Sequence, residues 1–237
     1  MANSLEILEW DSSFFGYPVG KITASAITTT ELAALITAAK NQHIKLLYLF
    51  TDSADATSTG AATANAAKLV DQKITFHTKI NAAVTVDSHI EQYEAPVPSE
   101  QLISLSMQSG LYSRYKIDPG FKNNEFERLY LAWIENSVNK KIADHTFVYK
   151  ENDQVLGFVT LKARNNTGQI GLIAVDENSR GKSIGKKLIA AVMNILFEKN
   201  IPDLDVATQI DNEDACNFYK KVGFAGIKTE NIYHIWL

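Results

Sequence analysis

Residues 170–192 read IGLIAVDENSRGKSIGKKLIAAV and combine an apolar strand, a short turn and an amphipathic helix. The strand, Ile170 to Val175, has almost no polar side chain, which is typical of a strand covered on both faces inside a sheet. The turn ends in the run Arg180, Gly181, Lys182, Ser183, Ile184, Gly185. Glycines at a helix entry let backbone N–H groups approach a ligand, and a helix N-terminus favours anions.

The basic side chains around this turn strengthen the indication of an anion site. Arg180, Lys182, Lys186 and Lys187 place four positive charges in eight residues of a chain with a formal net charge of −4. Together with the glycines, they predict a cradle for a diphosphate. A solvated basic face at an ordinary helix start accounts for the same residues equally well, because a glycine-rich turn is a weak signal by itself.

Composition excludes several other classes of protein. With 46% apolar and 21% charged residues in 237, the chain is expected to fold as one large or two small domains. Its acidic balance argues against generic nucleic-acid binding, and its single cysteine, Cys216, excludes an intrachain disulfide. No histidine pair has zinc-ligand spacing, so we expect no metal. The start lacks the pattern of a signal peptide and no apolar run could span a bilayer, so we expect a cytoplasmic protein without a membrane partner.

The periodicity from residue 90 onward predicts a meander followed by alternating strands and helices. The first predicted elements are a helix capped by Ser99, a loop over 111–123 and a helix opened by Asn124. They are followed by strands at 145–150, 155–163 and 169–175, a helix from Ile184, a strand at 205–210, a helix at 215–221 and a pair of strands over 224–237. This order is typical of an α/β fold with a mixed sheet.

The first 89 residues predict a smaller strand–helix–strand–helix–strand unit. Thr30 is the expected cap of its first long helix, and residues 45–50 read as a buried strand. Residues 55–67 predict a loop leading into a helix, because Gly60 interrupts them, and residues 74–86 predict a strand. We therefore predict two domains, residues 1–89 and 90–237, of which the first is too small to bury a large core alone.

The decisive turn resembles the coenzyme A-binding segment of the GCN5-related N-acetyltransferase (GNAT) family, whose pattern is Arg/Gln-x-x-Gly-x-Gly/Ala. Ser183 stands where that pattern has its first glycine. A second family segment follows as Asn212 and then DACNFYKKVGF, residues 214–224. The resemblance covers roughly residues 90–237. It implies a GNAT acyltransferase fold, acetyl-CoA as donor, and a pantetheine arm that pairs along residues 170–175 as an extra strand would.

The first segment carries a fainter echo of the second. Residues 66–80, AAKLVDQKITFHTKI, resemble residues 215–229, ACNFYKKVGFAGIKT. We therefore interpret the first segment as a degenerate GNAT-like half that lacks the glycine-rich turn.

A narrower resemblance extends over most of the chain. The stretches LEWDSSFFGYPVGKI (8–22), LYLAWIENSV (129–138) and VATQIDNEDACNFYKK (206–221) are similar to the TDP-fucosamine acetyltransferases. The similarity implies that the acceptor is the amine of a dTDP-linked 4-amino-4,6-dideoxyhexose, used in cell-surface polysaccharide biosynthesis. A different small amine, or a non-catalytic module that senses acyl-CoA, are the alternatives.

The family resemblance also assigns residue roles. Tyr219 stands where the family has its general acid, which protonates the leaving thiolate of coenzyme A; packing is its alternative role. A backbone N–H near Ile173 or Ala174 is expected to meet the oxyanion. Asn212 either caps a helix or binds the pantetheine amide. The full predicted coenzyme A site is Ile173, Ala174, Val175, Arg180, Gly181, Lys182, Ser183, Ile184, Gly185, Lys186 and Asn212.

The acceptor site and the general base are less marked. Arg114, Tyr115 and Lys116 in the predicted loop suit a diphosphate and a base, although a solvated loop has the same composition. No carboxylate lies on residues 170–175, so a water chain is the expected base, with His145 and His234 as alternatives. The sequence leaves the sugar and the oligomeric state open, and a homodimer is compatible with it.

Overall fold

The computed structural model describes residues 4–24 and 26–237. The first part of the chain contains β1 (Ser4–Ile7), α1 (Glu9–Phe15), β2 (Val19–Thr23), α2 (Thr29–Asn41), β3 (Leu46–Asp52), α3 (Ala56–Ala64) and β4 (Lys68–Lys79). The rest contains β5 (Ile90–Gln92), α4 (Glu100–Ser109), α5 (Arg114–Ile117), α6 (Glu125–Val138), β6 (His145–Glu151), β7 (Gln154–Arg164), β8 (Thr167–Val175), α7 (Ile184–Glu198), β9 (Asp203–Gln209), α8 (Glu213–Lys221) and β10 (Ala225–Trp236). In these parts of the chain, no helix is long and apolar enough to cross a bilayer.

The strands form one mixed sheet of ten, which confirms the predicted fold class. Their order is β1-β2-β3-β10-β4-β9-β8-β7-β6-β5. The C-terminal strand β10 lies between β3 and β4, and β4 in turn pairs with β9. Strands from both sides of residue 90 therefore share one sheet, and the division into residues 1–89 and 90–237 stays a prediction. As expected, β8 lies in the interior of the sheet, between β7 and β9.

Two predictions for the first segment are wrong in detail. The cap of α2 is Thr28 rather than Thr30, because Thr28 and Glu31 each bond the other's backbone N–H in a capping box. The Ala/Thr-rich segment is helical from its start, since the side chain of Asp55 caps α3 and Gly60 lies inside the helix. An N-cap carboxylate satisfies otherwise unpaired N–H groups and offsets the helix cost of a single glycine.

Two strand boundaries also differ from the expectation. The strand predicted for residues 74–86 is β4, Lys68–Lys79, whose first six residues, KLVDQK, do not alternate between apolar and polar and so hide its start in the sequence. The expected pair of strands over 224–237 is the single strand β10. Two register shifts against β4, between Gly226 and Lys228 and between Ile232 and Tyr233, interrupt its alternation.

The core divides between the faces of the sheet. On one face, α7 and α8 bury a cluster that includes Phe76, Leu188 and Tyr219. On the other face, α4 and α6 cover a cluster that includes Leu129 and Phe158. The segment with α5 joins this second cluster, so it lies on the face opposite to α7.

A buried carboxylate anchors the segment that follows α5 to the C-terminal strand. Asp118 Oδ2 accepts hydrogen bonds from Trp236 Nε1 at 2.9 Å and from His234 Nδ1 at 2.6 Å, and Gly120 N donates to Oδ1 at 3.1 Å. Burial opposes ionisation of Asp118, but the hydrogen bonds from His234 and Trp236 outweigh it and hold its pKa below the ordinary value. Burial lowers the pKa of His234, so its ring stays neutral.

Replacing Asp118 tests this anchor. Asp118→Ala leaves two buried ring N–H donors without an acceptor, so we expect the free energy of unfolding to fall by about 3 kcal/mol. Urea unfolding measures the loss. Lys68→Ala is the control, because its half-exposed ammonium lies 3.5 Å from the same carboxylate and should contribute under about 1 kcal/mol. Equal losses in both variants would contradict the anchor.

Candidate active site

The parallel strands β8 and β9 separate before either strand ends. Their pairing stops at Ile170 and Val206, although β8 continues to Val175 and β9 to Gln209. The edge of β8 beyond Ile170 therefore presents backbone groups that β9 does not bond. Unbonded strand edges readily pair with another extended chain, and this is the place where the sequence predicts one.

A cavity of about 190 Å³ opens where these strands separate. It brings together residues predicted for three different roles. Ile173 and Asn212 come from the coenzyme A site, Tyr219 is the candidate general acid, and Arg114 and Tyr115 come from the acceptor loop. Lys116 is not part of its wall; this side chain is exposed and pairs with Glu127 at 3.1 Å. Lys116 is thus exposed, as in a solvated loop, whereas Tyr115 is buried, and the acceptor role of both residues stays a prediction.

The turn before α7 contains two residues with a left-handed backbone conformation. Gly181 has φ of 82°, and Ser183, the N-cap of α7, has φ of 62°. Positive φ is costly for a residue with a Cβ, so Ser183 occupies a position suited to glycine. Arg180, Lys182 and Lys186 are exposed around the turn.

The fourth basic side chain near the turn, Lys187, is paired with a carboxylate. Lys187 Nζ lies 2.9 Å from Asp87 Oδ2 and 4.9 Å from the centre of the Tyr149 ring. The Asp87 carboxylate is the main cause of the raised pKa of Lys187. Lys187 therefore ties the segment before β5 to α7, and its charge is already balanced.

Gly185 allows α7 to approach α8 closely. A Cβ at Gly185 would lie 3.1 Å from the ring of Phe218, next to Tyr219. The two helices that carry the predicted coenzyme A site and the predicted acid therefore touch through this glycine. Ile184 is buried, so only its backbone faces the turn.

Tyr219 is buried at the cavity wall. Its ring contacts those of Phe76, Phe218 and Phe224, with centroid separations of 5.5, 5.3 and 5.7 Å. Burial raises the pKa of Tyr219 above its ordinary value, so the hydroxyl holds its proton at neutral pH. This position suits both its alternatives, a packing residue and a proton donor to the cavity.

The structure adds a carboxylate that the sequence analysis missed. Asp71 on β4 is buried and lines the same cavity, and its Oδ1 accepts no hydrogen bond from the described residues. Burial raises its pKa to about 6, although the charge of Arg114 opposes the shift. A carboxylate base was expected only on residues 170–175, and the predicted start of the strand at residue 74 left Asp71 outside it.

Arg114 is held within aromatic rings at this wall. Its guanidinium carbon lies 4.4 Å from the centre of the Tyr115 ring and 5.2 Å from that of Tyr48, and Nη2 donates to the Tyr115 hydroxyl at 2.6 Å. Its buried Nε donates to none of the described residues. Arg114 therefore places at the cavity wall a positive charge and an N–H group that bonds none of the described residues.

Asn212 and the two candidate histidines each have hydrogen-bond partners within the protein. Asn212 caps α8, since its Oδ1 accepts from Ala215 N at 3.2 Å, and it also lines the cavity. Neither candidate histidine is among the cavity-lining residues. His145 contacts Gln92 and Lys199, at 3.0 and 2.8 Å, and His234 bonds Asp118. Within the described ranges, no group of three His, Cys, Asp or Glu side chains is placed to hold a metal ion.

Comparisons with known proteins point to one family. The model of the acetyltransferase (GNAT) family matches residues 110–224. The spore coat polysaccharide biosynthesis protein SpsD of Bacillus subtilis (strain 168) is 27% identical over 141 residues, which are 60% of this chain and 48% of SpsD. The N-alpha-acetyltransferase 30 of Schizosaccharomyces pombe is 30% identical over 97 residues, 39% of this chain and 65% of that protein. The chain thus spans about half to two thirds of these relatives.

One solved structure extends the similarity in fold to nearly the whole chain. The GCN5-related N-acetyltransferase from Sphaerobacter thermophilus superposes with a TM-score of 0.65 at 10% identity, covering 99% of this chain and 76% of that one. At this identity the comparison concerns the fold alone. It includes the first segment as well as the region matched by the family model.

The serine at the N-cap of α7 gives a prediction about stability. Ser183→Gly removes the Cβ from a left-handed residue, so we expect the free energy of unfolding to rise by about 1 kcal/mol. Chemical denaturation measures this gain. Ser183→Ala is the matched control, because it keeps the Cβ and should bring no gain. A loss of stability in the glycine variant would show that the serine hydroxyl outweighs the backbone strain.

Proposed function

We propose that the protein is an acetyl-CoA-dependent N-acetyltransferase, because the model of the acetyltransferase (GNAT) family matches residues 110–224 of this chain. The observation that carries the proposal is the cavity between β8 and β9. Its wall holds a protonated phenol, Tyr219, and a carboxylate of raised pKa, Asp71. An acyl transfer to an amine needs both a proton donor and a proton acceptor at one place.

The donor would lie across the separated strands and the turn. The pantetheine arm pairs with the free edge of β8 at Ile173, Ala174 and Val175. Its diphosphate meets the N-terminus of α7, where the backbone N–H groups of residues 181–185 and the exposed Arg180, Lys182 and Lys186 supply donors and positive charge. In this arrangement Lys187 takes no part in binding the diphosphate and stays paired with Asp87.

The reaction follows from the groups around the cavity. The neutral amine attacks the thioester carbon, a C–N bond forms, and the oxyanion accepts a hydrogen bond from a backbone N–H at Ile173 or Ala174. Asp71 takes the proton that the nitrogen loses. The C–S bond then breaks, and Tyr219 gives its proton to the thiolate and regains one from solvent. With Asp71 as the base, a water chain is needed only if the amine and the Asp71 carboxylate are too far apart for a direct hydrogen bond.

For the acceptor, we infer the amine of a nucleotide-linked 4-amino-4,6-dideoxyhexose used for cell-surface polysaccharide. SpsD, a relative named for spore coat polysaccharide biosynthesis, supports this class. The fixed charge of Arg114 suits the diphosphate of such an acceptor. A cavity of about 190 Å³ is smaller than the pockets that enclose a drug-sized ligand, so it would take the sugar with the phosphate next to it and leave the nucleoside outside.

A thiol-release assay tests the proposal. The protein is incubated with acetyl-CoA and, in turn, dTDP-linked 4-amino sugars, the free amino sugars, and a peptide with a free N-terminus. Thiol release dependent on a nucleotide-linked sugar supports the full proposal. Release with another amine alone keeps the activity and overturns the acceptor. Binding of acetyl-CoA without release in any arm favours the acyl-CoA sensor.

Removing the Tyr219 hydroxyl tests the proposed acid. General acid catalysis contributes about a hundred- to ten-thousand-fold, so Tyr219→Phe should lower kcat by roughly that range. The affinity for acetyl-CoA should change little, because the ring still packs. Tyr130→Phe is the control, since Tyr130 is a second buried tyrosine on the same cavity wall. Near-normal turnover in Tyr219→Phe would reduce Tyr219 to a packing residue.

Replacing Asp71 tests the base through activity and stability together. Asp71→Asn should lower kcat and remove the fall in rate as pH drops through about 6. It should also stabilise the fold. A carboxyl group whose pKa is raised by folding lowers the free energy of unfolding as the pH rises from its unfolded pKa, about 4, to its folded pKa. At pH 7 the expected gain is roughly 1–3 kcal/mol, and it should vanish near pH 4.

Urea unfolding at pH 4 and pH 7 measures this gain. The matched control is Asp153→Asn in the exposed turn between β6 and β7, which should show neither the gain nor the change in rate. An Asp71→Asn protein with an unchanged pH–rate profile would show that Asp71 is not the base.

A further inference from the structure

A second cavity, of about 210 Å³, adjoins the first. Three residues line both cavities: Trp133 on α6, and Gly171 and Leu172 on β8. The new cavity extends from them along β7 towards the segment after α6.

The polar groups in the wall of this second cavity are already bonded to the protein. Ser137 Oγ donates to the Trp133 carbonyl at 2.8 Å, and Thr160 Oγ1 accepts from Leu172 N at 2.8 Å. Lys162 Nζ pairs with Asp144 at 2.6 Å. A ligand in this cavity therefore contacts mainly carbon atoms of the side chains, so the cavity suits an apolar group and not an anion or a sugar.

The apolar cavity begins beside the place where the thioester would react. Gly171 and Leu172 immediately precede Ile173, whose N–H is one of two proposed to meet the oxyanion. A strand rises about 3.3 Å per residue, so the cavity starts roughly 3–7 Å along β8 from the thioester carbonyl. A chain attached to the carbonyl on the side away from sulfur has this cavity within reach.

We propose that the second cavity is an acyl-chain pocket, so that the protein takes thioesters of coenzyme A with about four acyl carbons as well as acetyl-CoA. This inference rests on the proposed function and extends its donor class. The transfer is unchanged: the C–N bond to the longer acyl group forms, the C–S bond breaks, and the thiolate takes the proton. The two extra methylenes leave water for the apolar wall, and each strengthens binding about fourfold.

The experiment is a calorimetric titration of the full chain with acetyl-CoA and with butyryl-CoA. Butyryl-CoA should bind about fifteenfold more tightly, which corresponds to two buried methylenes. Ala143→Leu fills the pocket from its buried wall and should remove this advantage, while the Kd for acetyl-CoA stays within about twofold. Ala33→Leu, on the exposed side of α2, is the matched control and should keep the advantage.

A second variant covers the case in which Ala143→Leu does not fold. Ile142 lines the pocket but is 45% exposed, so Ile142→Ala should fold and weaken butyryl-CoA binding several-fold without affecting acetyl-CoA. Butyryl-CoA binding no tighter than acetyl-CoA, or an advantage that survives both pocket variants, would overturn the acyl pocket and leave the acetyltransferase proposal standing. A protein that binds neither thioester would overturn the proposed function, and the pocket with it.

Discussion

The early separation of β8 from β9 is the constraint on which the candidate site depends. Backbone N–H and C=O groups in a sheet interior are normally bonded, so five residues of β8 beyond Ile170 that β9 does not bond are an opening for a ligand. The cavity, the exposed turn before α7 and the phenol of Tyr219 all adjoin that opening. Closing the strands together would remove the cavity, whatever side chains lined it.

The two segments of the chain build this site jointly. Because β4 pairs with β9, the first segment lies beside β9, and Asp71 reaches a cavity whose other residues come from residue 109 onward. Asp118 holds the segment after α5 against β10, which keeps Arg114 near the same cavity. The first segment therefore contributes a charged group to the site, even though it lacks a glycine-rich turn.

Several costly features of the fold meet around the site. Among the described residues, one oxygen of the buried Asp71 carboxylate has no donor and the buried Nε of Arg114 has no acceptor, and Ser183 has a left-handed backbone. Each of these lowers stability, and features of this kind gather where a protein binds or reacts with a ligand. The rest of the described chain balances them with ordinary devices, such as the capping box of α2 and the bonded Asp118.

The sequence by itself determined what rests on local pattern: the strand and helix around residues 170–192, the Ser99 and Asn124 helix starts, and the α/β class. These depend on neighbours a few residues away, which periodicity and capping report directly. The start of β4, the single strand β10 and the role of Lys187 depend on partners distant in sequence. Only the tertiary structure placed Asp71 beside Tyr219, because strand order brings residues 148 positions apart to one cavity, and no local pattern carries strand order.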